Sequence, residues 1–241
     1  MDSNYKPYDH IASASRIKDY LTSAQNSYEE ASALPNRDKL TFTNGFYANC
    51  SAIFVDIRSS SQLPGQYKRP RLARIYRAYL SELVAIFNDS PFTREINIAG
   101  DAAWAVVNTP SKPNIDAVFA MGYKANSMVK LMNHYMVKAG YGTPIKIGVG
   151  MSYGRALMVK AGYNGSGIND VVYMGDVVNE AAKLANYGGQ PFIPPLVLSE
   201  DFHFNLNSDN QGFCQYDRNR ECYTADVVDS AMEAWRQANC T

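Results

Sequence analysis

Residues 50–57 read CSAIFVDI, an almost unbroken run of apolar, β-branched and aromatic side chains that ends in a carboxylate and, after Ile57 and Arg58, three serines. A run of this length bounded by turn formers predicts a buried central strand, because a strand covered on both faces must be apolar on both. It commits the chain to a sheet and puts Asp56 at the end of a strand.

The neighbouring segments predict the layers. Over residues 70–88, Leu72, Ile75, Tyr76, Tyr79, Leu80, Leu83, Ile86 and Phe87 recur three and four apart, the face of an amphipathic helix that covers the sheet. REINIA and AAWAVV flank Gly100-Asp101, which predicts a β-hairpin with Asp101 at its tip. A second long helix is expected over 114–139, capped by Asn114. IKIGVGMS, GRALMVKAG and DVVYM read as strands, GDVVNEAAKLANYGG as a helix closed by glycines, and PLVLS, CQYDR and ECYTADV as later strands. This order predicts an α+β sandwich, with helices on one face of a largely antiparallel sheet. Upstream, residues 11–32 have helical composition with a stripe at Ile17, Tyr20, Leu21 and Tyr28, and a Pro-containing break follows at 33–39. The expected division is an N-terminal helical extension over 1–45, packed on a main domain over 46–241.

Composition narrows the function. The 241 residues suit one core. Basic and acidic residues balance at 23 each, so no global field draws nucleic acid or an anionic membrane, and a phosphate ligand must be held locally. No apolar stretch approaches a membrane span, and MDSNYKPYDH is not ordered like a signal peptide, so a cytosolic protein is expected. Cys50, Cys214, Cys222 and Cys240 lack CxxC spacing, and His10, His134 and His203 are scattered, which argues against a zinc site.

The remaining chemistry is carried by carboxylates and one helix. Adjacent strands would bring Asp56 and Asp101 to the same sheet edge, a geometry for Mg²⁺ or Mn²⁺, which take oxygen ligands and complete their shells with phosphate and water. The alternative leaves Asp56 as a helix cap and Asp101 as a turn former. Ser59, in the serine-rich turn after Asp56, could meet a triphosphate. Asn179 and Lys183, four apart, share one helix face, either functional or merely solvated.

Together these motifs resemble the class III adenylate and guanylate cyclase family over roughly residues 46–228. AIFVDIRSS matches its first metal strand, INIAGDAAWAVV its metal-bearing hairpin, and IKIGVGMSYG followed by VYMGDVVNEAAKLA its glycine strand and transition-state helix. The resemblance implies that Asp56 and Asp101 bind two metal ions with help from the Ile57 carbonyl, and that Asn179 orients the ribose. Lys183 stands where the family has arginine; it keeps the charge and loses the planar fork. Arg218 and Arg220 stand in for a phosphate-binding lysine loop. The resemblance also implies a head-to-tail homodimer in which the aspartates of one subunit face the asparagine helix of the other.

The base-reading positions depart from both purine codes. Adenylate members have lysine four residues before the second metal aspartate and usually aspartate seven before the helix asparagine; guanylate members have glutamate and often cysteine. Here these positions are Asn97 and Val172. Either the site is relaxed or inactive, or it selects a smaller pyrimidine, with Phe46 or Tyr47 filling the purine volume. The chain is most similar to the prokaryotic Pycsar pyrimidine cyclases of antiphage defence, which implies a cyclic UMP or cyclic CMP product, UTP favoured over CTP as substrate, and a separate effector that reads the product.

Overall fold

A computed structural model describes residues 2–23 and 26–240. In chain order the elements are α1 (His10–Thr22), β1 (Ser27–Glu30), β2 (Asn44–Ile57), α2 (Leu63–Gln66), α3 (Arg69–Asn88), β3 (Thr93–Ala99), β4 (Ala102–Asn108), α4 (Lys112–Lys138), β5 (Ile147–Gly162) and β6 (Asn169–Met174). There follow α5 (Asp176–Tyr187), β7 (Leu196–Leu198), α6 (Glu200–Phe204), α7 (Ser208–Gly212), β8 (Gln215–Asp217), β9 (Cys222–Ala225) and α8 (Ser230–Asn239). The strands form one sheet in the order β3-β4-β2-β5-β7-β9-β8, with β1 added to β2 and β6 to β5. Pairing is antiparallel except at β1/β2 and β5/β7. The expected α+β sandwich is what forms.

The period of two along β2 explains its continuous apolarity. Ile53, Val55 and Ile57 enter a core with Tyr79, Leu83 and Phe87 of α3 and Phe119 of α4. Ala48, Cys50 and Ala52 point the other way, into a second core with Leu34, Leu40, Met158, Tyr173, Val177 and Ala181. Both faces are therefore covered, whereas the sequence predicted helices on one. Burial pushes the Cys50 thiol up to about 12, the chemistry of an inert core residue.

Several boundaries differ from expectation. The N-terminal helix ends at Thr22, and Tyr28 lies in β1; Ile17, Tyr20 and Leu21 are exposed, and α1 buries none of its residues. The segment after β1 is anchored instead, with the Leu34 N–H donating to Asn108 Oδ1 at 2.8 Å. α4 starts two residues early, with Ser111 at its N-cap position; Asn114 lies inside the first turn and accepts the Ser111 hydroxyl at 2.6 Å. The segments read as two strands around Gly154 form one long β5, paired along its whole first part with β2. Among the described residues, no helix is long and apolar enough to cross a membrane.

Candidate active site

Strand register brings the two aspartates together. β2 pairs with β4 through Val55↔Ala103, and β3 pairs with β4 through Ala99↔Ala102, so the Gly100-Asp101 turn falls beside Asp56. Gly100 has φ +65°, the left-handed value that a two-residue hairpin needs and that a Cβ disfavours. Burial, and then crowding by the Asp101 carboxyl, push Asp56 up to about 6; Arg58 and the Ile57 N–H act in the opposite direction. Arg58 Nη2 donates to Asp56 Oδ2 at 2.8 Å and Nη1 to the Asn186 carbonyl in the last turn of α5 at 2.9 Å.

Among the described residues, three buried polar atoms around this pair lack hydrogen-bond partners: Asp101 Oδ2, Arg58 Nε and the hydroxyl of Tyr79, a fully buried residue of α3. Burial, Asp56 and Asp101 together hold the Tyr79 phenol well above its ordinary value. Buried orphans of this kind call for an ion or water to complete them. Two crowded carboxylates with an unsatisfied oxygen suit a hard divalent cation. Ile57 is the last residue of β2, with its side chain in the core, so only its backbone faces this edge. Ser59 sits at φ +55°, exposed, and its carbonyl accepts the Gln62 N–H at 2.9 Å in the turn that follows.

The other candidate residues gather on α5. Gly148 and Gly150 of β5 allow that helix to lie directly on the sheet, since a Cβ at either would collide with α5 backbone. Val177, Ala181, Leu184 and Ala185 are buried, and Glu180 accepts the buried Ser152 hydroxyl, fixing the helix rotation. Asn179 and Lys183 are thereby turned to solvent, and among the described residues neither has a hydrogen-bond or ion-pair partner. Arg220, paired with Asp217 at 2.7 Å, lies 5.7 Å from the ring centroid of Tyr187 and so joins the end of α5. Arg218 is exposed on the same loop.

The base-reading positions are more dispersed. Asn97 is half-buried on β3, opposite Trp104. Val172 lies on β6 with its side chain exposed, alternating with Tyr173, which enters the second core. Tyr47 pairs with Leu157 far along β2, and its ring is covered by the Arg155 guanidinium at 3.7 Å. Nine residues, roughly 30 Å of extended strand, separate it from Asp56 in the same chain. Sequence reasoning assigned no role to Arg58, Tyr79 or a stacked Phe54–Trp104 pair. Arg58 and Trp104 lie within the quoted motifs, but only the packing shows what they touch.

No family model matches the chain. It is 35% identical over 232 residues to a uridylate cyclase of Treponema porcinum, covering 95% of this chain and 80% of that protein. It is 45% identical over 192 residues to a uridylate cyclase of Gulbenkiania mobilis, covering 76% and 73%. Among solved structures, the adenylyl cyclase CyaB from Pseudomonas aeruginosa shares the fold at a TM-score of 0.64 and 18% identity, over 77% of this chain and 96% of that one. A class III adenylyl cyclase-like ATP-binding protein from the same organism gives 0.69 at 15% identity, over 93% and 48%. With its two aspartates at adjoining strand ends and its asparagine helix on a glycine strand, the chain has the fold of the class III cyclases and belongs to the family of the uridylate cyclases.

Proposed function

We propose that the protein converts UTP, with CTP as the next substrate, into the 3′,5′-cyclic monophosphate and pyrophosphate, at sites formed between two copies of the chain. The observation that carries the reaction is the crowded Asp56–Asp101 pair with its unsatisfied neighbours. The identity of the uridylate cyclases carries the base. Asp56 and Asp101, with the Ile57 carbonyl, would hold two Mg²⁺ or Mn²⁺ ions, whose charge, when bound, would favour ionisation of the ribose 3′-hydroxyl and offset that of the leaving pyrophosphate.

The chain's own residues bind and orient. The 3′-oxygen attacks the α-phosphorus, an O–P bond to pyrophosphate breaks, and the hydroxyl proton leaves to solvent. Asn179 holds the ribose in line, and Lys183 offers a point charge to the α-phosphate. Arg220, with Arg218, holds the outer phosphates; Ser59 borders them, and Asn97 and Val172 meet the base. Asn179 and Lys183 face solvent, and among the described residues neither has a hydrogen-bond or ion-pair partner, which supports a second copy in head-to-tail orientation completing each site. The cyclic product serves as a second messenger in antiphage defence, read by a separate effector in the cytoplasm.

The test is incubation of the purified protein with each of the four ribonucleoside triphosphates and Mn²⁺. Cyclic UMP as the main product is expected. Comparable turnover of a purine triphosphate would establish a relaxed cyclase, and no product from any would leave a cyclase-like binding module, the reading suggested by Lys183 in place of arginine.

A further inference from the structure

One row of residues crosses four strands on a single face of the sheet, three with side chains and the last a glycine. Asn97 of β3 is opposite Trp104 of β4, Trp104 is opposite Phe54 of β2, and Phe54 is opposite Gly150 of β5. Directly paired residues share a face, with neighbours about 4.5–5.5 Å apart. α5 lies on Gly150, so the row ends beneath the helix that presents Asn179 and Lys183. Phe54 and Trp104 stack with ring centroids 5.2 Å apart and planes 2° from parallel, and both are only half-buried. A large aromatic pair that packing leaves partly open, flanked by an amide that both donates and accepts, has the composition of a base-stacking platform. Asp56 lies two residues beyond Phe54 on the same face, roughly 6.6 Å along the strand.

We infer that Trp104, stacked on Phe54 and paired with Asn97, is the floor of the base subsite, and that its indole fills the space a purine's second ring needs. This rests on the pyrimidine-cyclase reading and assigns the size limit to the Trp104–Phe54 pair. Of Phe46 and Tyr47, the two aromatics that the sequence offers for this role, Tyr47 has its face occupied by Arg155. The selection is steric and stacking; Asn97 supplies the polar contact to the base edge.

Two measurements test it. Trp104→Ala and Trp104→Met enlarge the space, and the ratio of UTP to ATP turnover should fall at least about tenfold, the scale on which pocket volume discriminates. The chain has two tryptophans, and Trp235 is half-exposed on α8. In the Trp235→Phe protein, which retains native Trp104, UTP should therefore quench the remaining fluorescence saturably, and ATP should do so only at much higher concentration. An unchanged UTP/ATP ratio in both Trp104 variants, in a protein whose wild type prefers UTP, would overturn the inference alone; so would UTP binding seen by calorimetry without quenching. Wild-type protein that turns over ATP as fast as UTP would overturn the pyrimidine reading and this inference with it.

Discussion

The acidic strand end and the face of α5 are built on opposite plans. Around Asp56 the chain buries charge: two carboxylates crowd together, Arg58 partly offsets them, and Asp101 Oδ2, Arg58 Nε and the Tyr79 hydroxyl remain unsatisfied. On α5, packing is complete on one side, and on the other Asn179 and Lys183 project into solvent. The first region holds unfavourable electrostatics that a bound cation would relieve. The second is a helix packed on one side, and among the described residues Asn179 and Lys183 make no hydrogen bond or ion pair that holds it in place. Substitutions should therefore separate the two: those at the acidic end change metal-free stability as well as turnover, and those on α5 change turnover alone.

The largest effect is expected at the metal ligands. Asp56→Ala or Asp101→Ala should lower cyclic nucleotide formation by roughly a thousandfold or more, while the metal-free variants melt no lower than wild type near neutral pH, since one of two crowded carboxylates is gone. A clear loss of stability would break the view that this region is strained. Asn179→Ala should cost about a hundredfold in kcat with an unchanged melting temperature. If the two regions serve one site across a dimer, mixing Asp56→Ala with Asn179→Ala protein should restore activity that neither has alone; no recovery in a demonstrated mixed dimer would count against the head-to-tail arrangement.

Smaller effects sharpen the contrast. Arg58→Gln should destabilise the metal-free protein by about 1–3 kcal/mol, because it leaves the acidic pair without its hydrogen-bonded partner, and Mn²⁺ should restore more of the loss than it adds to wild type. The pH dependence has a definite sign. Asp56 titrates at about 6 in the folded protein against an ordinary value of 3.8, so the fold binds its proton more tightly than the unfolded chain does. Stability from this group is present below the unfolded value and is lost as pH rises through about 6. The metal-free protein should accordingly melt higher at pH 5 than at pH 7, and Asp101→Asn should flatten that difference. Least affected should be Arg220→Ala, which should raise KM for the triphosphate several-fold, the scale of an exposed charge contact, and leave kcat nearly intact.

The elements that were legible in advance were those set by local pattern. The double-sided apolarity of residues 50–57, the three-and-four spacing of α3 and the Gly100-Asp101 hairpin are properties of short segments, and each formed where expected. Helix ends were read less well. The composition of residues 11–32 predicts one helix, whereas α1 ends at Thr22 and Tyr28 pairs in the sheet. Asn114 is expected to cap α4, but Ser111 takes that position. IKIGVGMS and GRALMVKAG read as two strands, and pairing with β2 carries β5 straight through Gly154.

By itself the sequence determined the strand that ends in Asp56, the hairpin that presents Asp101, and the i, i+4 pair on α5, because each depends on residues close together in the chain. Only the tertiary structure decided what surrounds them. Strand register joined Asn97, Trp104 and Phe54 in one row, and close approach over Gly148 and Gly150 aimed Asn179 outward. The same packing set Arg58 between Asp56 and α5. Apart from Asn97–Trp104 within one hairpin and Arg58–Asp56 within one turn, these contacts join residues that are far apart in the chain, such as Trp104 with Phe54, Gly150 with Ala181 and Arg58 with Asn186, and no periodicity within one segment encodes which element will lie beside it.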